Sequence, residues 1–297
     1  MSSLATSLPS QTFSPLPREE YIEQGFFFTG LGERLAENVP AQEVLVAIRE
    51  EVLATTKLPM AIEFLLAELK HQGVLATGMR QLAHYFTPFQ CYVLSEAEND
   101  RGRFDLRIGL QILAREVEYR AEVDPKRAIS LAGLFLYQLE ALCRNRLGYD
   151  EGLEAIAADP SYDETWRSWI LTVRRQIGIV ELADMIYVRS EFYVEKMAQL
   201  DPTKTPDRSL LLFGRQEGRI AWANRQKDPL LLFAALHRQL GYPQVPKTKL
   251  ADPEQRLLPT LARRVEQLEG RLKLLEEEQR GGIDLERFYR PDASESS

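Results

Sequence analysis

Apolar positions recur along much of the chain at alternating intervals of three and four, the spacing that lays one stripe along an α-helix. In PAQEVLVAIREEVLATT the stripe is Val44, Leu45, Ile48 and Val52; in PMAIEFLLAELKHQG it is Ile62, Leu65, Leu66 and Leu69. Such stripes predict a mainly α-helical fold, a helical bundle or irregular helical solenoid ending in a coiled-coil-like helix. One stretch carries two periods at once. RFDLRIGLQI, residues 103–112, alternates Phe104, Leu106, Ile108, Leu110 and Ile112 with polar or small residues, so a hairpin over 89–112 is an alternative. Yet Leu106, Leu110, Leu113 and Val117 continue a helical stripe. An isolated two-stranded hairpin also has no further strands to pair with, so helix is the preferred reading.

Punctuation between the stripes supports helices. Asp-Pro occurs at Asp124-Pro125, Asp159-Pro160, Asp201-Pro202, Asp228-Pro229 and Asp252-Pro253. An Asp side chain can accept from a free first-turn N–H and proline fits the first helical position, so each pair predicts a helix start. CRNRLGYD (143–150) and LHRQLGYP (236–243) both predict helix ends, with Gly148 and Gly241 in the left-handed cap and Tyr149 and Tyr242 folded back on the last turn. ADPSYDETW followed by QLDP, over residues 159–202, resembles part of a tetratricopeptide unit. Those units repeat at about 34 residues. Here the Asp-Pro pairs are spaced by 35, 42, 27 and 24 residues, so a regular array is not expected and no binding residues carry over.

These signals divide the chain into a flexible tail (1–17), a helical body (18–245), a proline-containing linker (246–257), an amphipathic helix (258–280) and a flexible C-terminal segment (281–297). At 297 residues, with 44% hydrophobic and 27% charged side chains, the composition is that of a globular protein. The net charge of -7 argues against general nucleic-acid binding, which depends on a basic face. Cys91 and Cys143 are isolated from one another and from any metal-binding pattern. Free thiols, no bilayer-spanning apolar run and no basic, apolar leader together predict a cytoplasmic protein without a membrane partner.

Candidate chemistry is sparse. Glu68 and His71 form one Glu-x-x-His pair, whereas carboxylate-bridged metal bundles use two. His84 and Cys91 are seven apart, but Pro88 interrupts the helix that would align a base with a thiol. No residue set specifies a reaction, a metal or a cofactor, and an enzyme with dispersed residues remains only as an alternative. Residues 208–249 carry a surplus of cations, among them Arg215, Arg219 and Arg225, with Trp222 in their midst. That basic patch suits an acidic partner, or RNA as a further alternative. Tyr21, Phe26, Phe27 and Phe28 form either a docking group or the core face of the first helix.

The segment LARRVEQLEGRLKLLEEE says more. With Leu258, Val265 and Leu272 at heptad a, Leu261, Leu268 and Leu275 fall at d, Arg264 and Arg271 at g, and Glu269 and Glu276 at e. In a parallel dimer each g position faces the following e of the other chain, so both pairs attract. Pro259 and Gly281-Gly282 bound the seam to about three heptads. Beyond it, Ile283, Leu285, Phe288 and Tyr289 form a short amphipathic stretch suited to another protein's groove. The expected function is therefore non-catalytic protein–protein interaction, as an adaptor or scaffold and a homodimer.

Overall fold

Helices form where the stripes fall. The computed structural model describes residues 15–99, 104–122, 130–200 and 208–247, together with Leu268 and Leu272. Among the described residues there are thirteen α-helices and no strands, and the chain divides into two units, 1–250 and 251–297. The helices of the first unit are α1 (Arg18–Ala36), α2 (Ala41–Glu51), α3 (Leu58–Gln72), α4 (Leu75–Gln81), α5 (Pro88–Glu98), α6 (Leu106–Ala121) and α7 (Leu131–Asn145). They continue with α8 (Tyr149–Ala157), α9 (Glu164–Gln176), α10 (Leu182–Tyr187), α11 (Glu191–Leu200), α12 (Arg215–Ala223) and α13 (Pro229–Leu240). None of the described helices is long and apolar enough to cross a membrane.

The longest helix, α1, lies along α6 in the most extensive pairing of the unit. Helices α2 and α3 pack beside α1, while α4 and α5 lead to α6, and α7 and α8 lead to α9. The last helices, α10 to α13, cluster around α12, with α13 also against α7. Val44, Leu45, Ile48, Ile62 and Leu65 are buried, so the stripes face the core. In the first helix Tyr21, Phe27 and Phe28 are core residues, and Phe26 alone of that aromatic group is exposed.

The doubly periodic stretch is helical. Asp105 accepts from Arg107 N at 2.8 Å and starts α6, whose residues Leu110, Leu113 and Val117 are buried. Thr87 and Gln90 form a reciprocal capping box at the start of α5, with Pro88 at the first helical position. Helix α5 thus occupies the other half of the 89–112 segment, and the hairpin alternative is excluded. Three helices, α9, α10 and α11, fill the described part of the tetratricopeptide-like stretch, where such a unit would have a helical pair.

Two expected boundaries are corrected. Asp159-Pro160 does not open a helix; the Asp159 carboxylate turns inward, and Asp163 caps α9 by accepting from Trp166 N at 2.9 Å. Gly148 is not a left-handed cap either. Helix α7 ends on Arg146 at φ 55°, which keeps the arginine in solvent while Leu147 enters the core, and Gly148 precedes α8 in an extended conformation. Tyr149 stands in α8 and is 40% exposed, but its hydroxyl does fold back to bond Cys143 in the last turn of α7. The other two boundaries behave as expected. Asp228 accepts from Leu230 N at 2.8 Å, and Gly241 takes φ 69° with Tyr242 buried behind it. The pairs at Asp124, Asp201 and Asp252 lie outside the described residues.

At the centre sits a charged interior. Arg120 Nη2 donates to Glu116 Oε1 at 2.9 Å and also pairs with Asp159, all three side chains being buried. Gln138 Nε2 donates to Glu116 Oε1 at 2.7 Å, and Tyr162 donates its hydroxyl to Gln138 Oε1 at 2.8 Å. Gln90 Nε2 reaches both Glu116 Oε2 and Gln24 Oε1 at 3.3 Å, and Gln24 Nε2 donates to Tyr85 O at 3.0 Å. The Ser161 N–H donates to Asp159 and its hydroxyl accepts from Arg120 Nη1, while the buried Arg120 Nε has no partner among the described residues. Removing one partner strands the others in a low-dielectric interior, so Arg120→Leu is expected to lower stability by about 3–5 kcal/mol in urea denaturation.

Buried hydroxyls and thiols set a pH dependence. Burial raises the pKa of Tyr85, Tyr137, Tyr162 and Tyr242 above the usual 10, and pushes the Cys91 thiol up from 9 to about 12. Above those ordinary values the unfolded chain holds fewer protons than the folded one, so stability falls as pH rises. This contribution is fully present below pH 9; urea midpoints are expected to fall progressively from pH 9 upward.

Candidate interaction surface

The cations expected around Trp222 do meet on one surface, formed by α10, α11 and α12. Arg215, Arg219 and Trp222 stand at i, i+4 and i+7 of α12, so they share one helix face, and all three are exposed. Trp222 is 37% exposed. Arg225 Cζ lies over its ring at 3.6 Å from the centroid, and Lys196 Nζ of α11 lies over it at 3.5 Å. Two cations at that height cannot share a face, so the indole is sandwiched between them. Each contact contributes roughly 0.5–1 kcal/mol at an exposed site. Tyr187 of α10 is buried beneath this surface, with its ring 4.7 Å from that of Trp222 and Arg225 Cζ 5.7 Å from its centroid.

Carboxylates engage part of this cationic set. Arg215 Nε is 2.9 Å from Glu195, and Arg225 Nη1 is 3.4 Å from Asp184. Lys196 and Arg219 have no ion-pair partner among the described residues. Burial raises the Tyr187 hydroxyl pKa, and the nearby Arg225 guanidinium offsets part of that rise.

The surface is anchored from below. Ser190, between α10 and α11, donates its hydroxyl to Tyr187 O at 2.6 Å and accepts from Tyr193 N at 3.3 Å. Glu191 N donates to Phe213 O at 3.1 Å, while Leu212 N and Phe213 N donate to Arg189 O. These bonds tie the approach to α12 to the α10–α11 junction. Phe213 then plugs into the core, with its ring 5.5 Å from Trp166 and 5.2 Å from Trp169. Gly218 is required where α12 crosses the junction: a Cβ there would lie 2.1 Å from Ser190 Oγ.

Sequence reasoning found four of these residues from local composition. It missed Lys196 and Tyr187, which lie upstream in a stretch with no cationic surplus. The Tyr187-to-Tyr193 run, YVRSEFY, was the available signal, because it clusters aromatic and charged residues at a helix junction.

The other candidates fall elsewhere. Leu268 and Leu272 are helical and 58% and 60% exposed. The remaining seam residues, Leu261, Arg264, Val265, Glu269, Arg271, Leu275 and Glu276, lie outside the described residues, as do Ile283, Leu285, Phe288 and Tyr289. Glu68 is engaged by Gln72 Nε2 at 2.8 Å and Gln81 Nε2 at 3.2 Å, and His71 is exposed in the last turn of α3. His84 is exposed ahead of α5, whereas Cys91 is buried inside that helix, so Pro88 does separate them. Among the described residues no group of three or more His, Cys, Asp or Glu side chains is placed to hold a metal ion.

Compared with known proteins, the chain matches no family model, no curated protein and no solved structure.

With its pKa pushed up to about 12 by burial, the Cys91 thiol is protonated at neutral pH and shielded from reagents. In the native protein at pH 8, iodoacetamide is expected to label Cys91 far more slowly than in urea, as peptide mass mapping will show. Equal rates would contradict the burial of α5.

Proposed function

We propose that this chain is a non-catalytic protein–protein interaction protein, an adaptor or scaffold acting in the cytoplasm, that self-associates as a parallel dimer through its C-terminal helix. One observation carries the proposal. Leu268 and Leu272, the d and a positions of the heptad reading, are helical and leave more than half of their surface in solvent. Leucines at i and i+4 lie on one helix face, and covering each contributes about 1.5–3 kcal/mol. A second copy presenting the same pair covers both sets by symmetry. The signs of Arg264, Arg271, Glu269 and Glu276 in the sequence favour the parallel register over random association.

The enzyme alternative has less support. Glu68 is engaged by two glutamines and the Cys91 thiol is buried and protonated, so neither is poised as a base or nucleophile.

Light scattering on the eluting full-length protein tests self-association. Twice the 34.0 kDa chain mass is expected for the wild type, and the single-chain mass for the Leu268→Glu, Leu272→Glu double variant. A wild-type protein of single-chain mass throughout the micromolar range would overturn the dimer.

A further inference from the structure

The sandwich around Trp222 fixes cations before any ligand arrives. A free lysine or arginine loses rotamer entropy when it grips an anion, whereas Lys196 and Arg225 are already laid on the indole. A guanidinium stacked by its face keeps its N–H edge for a carboxylate. Arg225 spends part of that edge on Asp184 at 3.4 Å, while Lys196 and Arg219 have no carboxylate partner among the described residues. Val188, at the end of α10 next to Tyr187, is 47% exposed and adds an apolar contact.

We propose that the α10–α12 face docks an acidic peptide segment of a partner protein, whose carboxylates bind Lys196, Arg219 and Arg225 around Trp222. Charge complementarity calls for an anionic occupant, and the covered indole together with the chain's overall negative charge favours an acidic peptide over a nucleic acid. A nucleobase needs an open aromatic face for stacking, and both faces of this indole are covered by cations. The chain's net charge of -7 also repels an extended phosphate backbone beyond the patch, while a short segment with a few carboxylates meets only the local surplus. The surface does not rest on self-association through residues 258–278.

A fluorescein-labelled decapeptide alternating glutamate and glycine is the probe, titrated with full-length protein at low ionic strength and followed by anisotropy. Saturable binding that disappears in high salt is expected. Lys196→Gln and Arg225→Gln should each weaken it by about tenfold. Arg49→Gln, at the exposed pair with Glu50 on α2, should leave it unchanged. Near-UV circular dichroism matching the wild type shows that the variants retain the fold. Absence of saturable binding, or binding insensitive to both substitutions, would sink the proposal. So would a labelled uridine decanucleotide that binds more tightly than the peptide with the same dependence on Lys196 and Arg225, since the face would then be a nucleic-acid surface.

Discussion

One buried cation, Arg120, constrains the whole helical unit. Taking a guanidinium out of water costs several kcal/mol, and the cost is offset only by carboxylates and other acceptors held at hydrogen-bonding distance. Glu116, one turn before it on α6, provides the first carboxylate, and Asp159, from the turn after α8, provides the second. Two carboxylates around one guanidinium leave surplus acceptors. Gln90 of α5, Gln138 of α7 and the Ser161 N–H meet that need, and Tyr162 in turn satisfies Gln138. Apolar surfaces slide past one another with little penalty, but a hydrogen-bonded shell fixes helix register. Helices α1, α5, α6 and α7 are therefore locked to the α8–α9 turn by groups that tolerate little displacement.

The same constraint explains which parts of the fold could be read from the sequence. Asp228-Pro229 was legible because its chemistry is local: the side chain caps its own helix, and nothing distant competes for it. Asp159-Pro160 has identical local chemistry and a different fate, because Arg120, 39 residues upstream, claims the carboxylate. Gly148 failed for a related reason, since burial of Leu147 moved the left-handed residue back to Arg146. Helical periodicity survived even in the ambiguous 103–112 stretch. There the stripe runs on through Leu113 and Val117 and outlasts the alternation, and both residues are buried. Glu116 and Gln138 read as ordinary polar residues of amphipathic helices, and only the three-dimensional packing places them inside.

The Trp222 surface was half legible. Arg215, Arg219, Trp222 and Arg225 lie within eleven residues of one another, so composition and helical spacing suffice to group them. Lys196 lies on another helix, and its approach depends on α12 crossing the α10–α11 junction at Gly218. No periodicity encodes that crossing. The sandwich also changes what a tryptophan among arginines means: its faces bind the protein's own cations, so it organises charge and does not offer a platform for stacking.

The two modes of association proposed for this chain have opposite physics. A leucine seam through Leu268 and Leu272 depends on removing apolar area from water, an effect that salting-out anions strengthen. The cationic face depends on attraction between exposed charges, which an ionic strength of about 0.1 M already screens beyond roughly 10 Å. Leucines contribute no long-range steering, whereas exposed cations attract anionic segments at a distance and suit a faster, weaker encounter. On these proposals, high salt would release an acidic partner while leaving the leucine seam closed. The net charge of -7 sharpens that contrast, because repulsion between acidic chains opposes association wherever apolar burial does not overcome it, while a local positive face still attracts acidic segments.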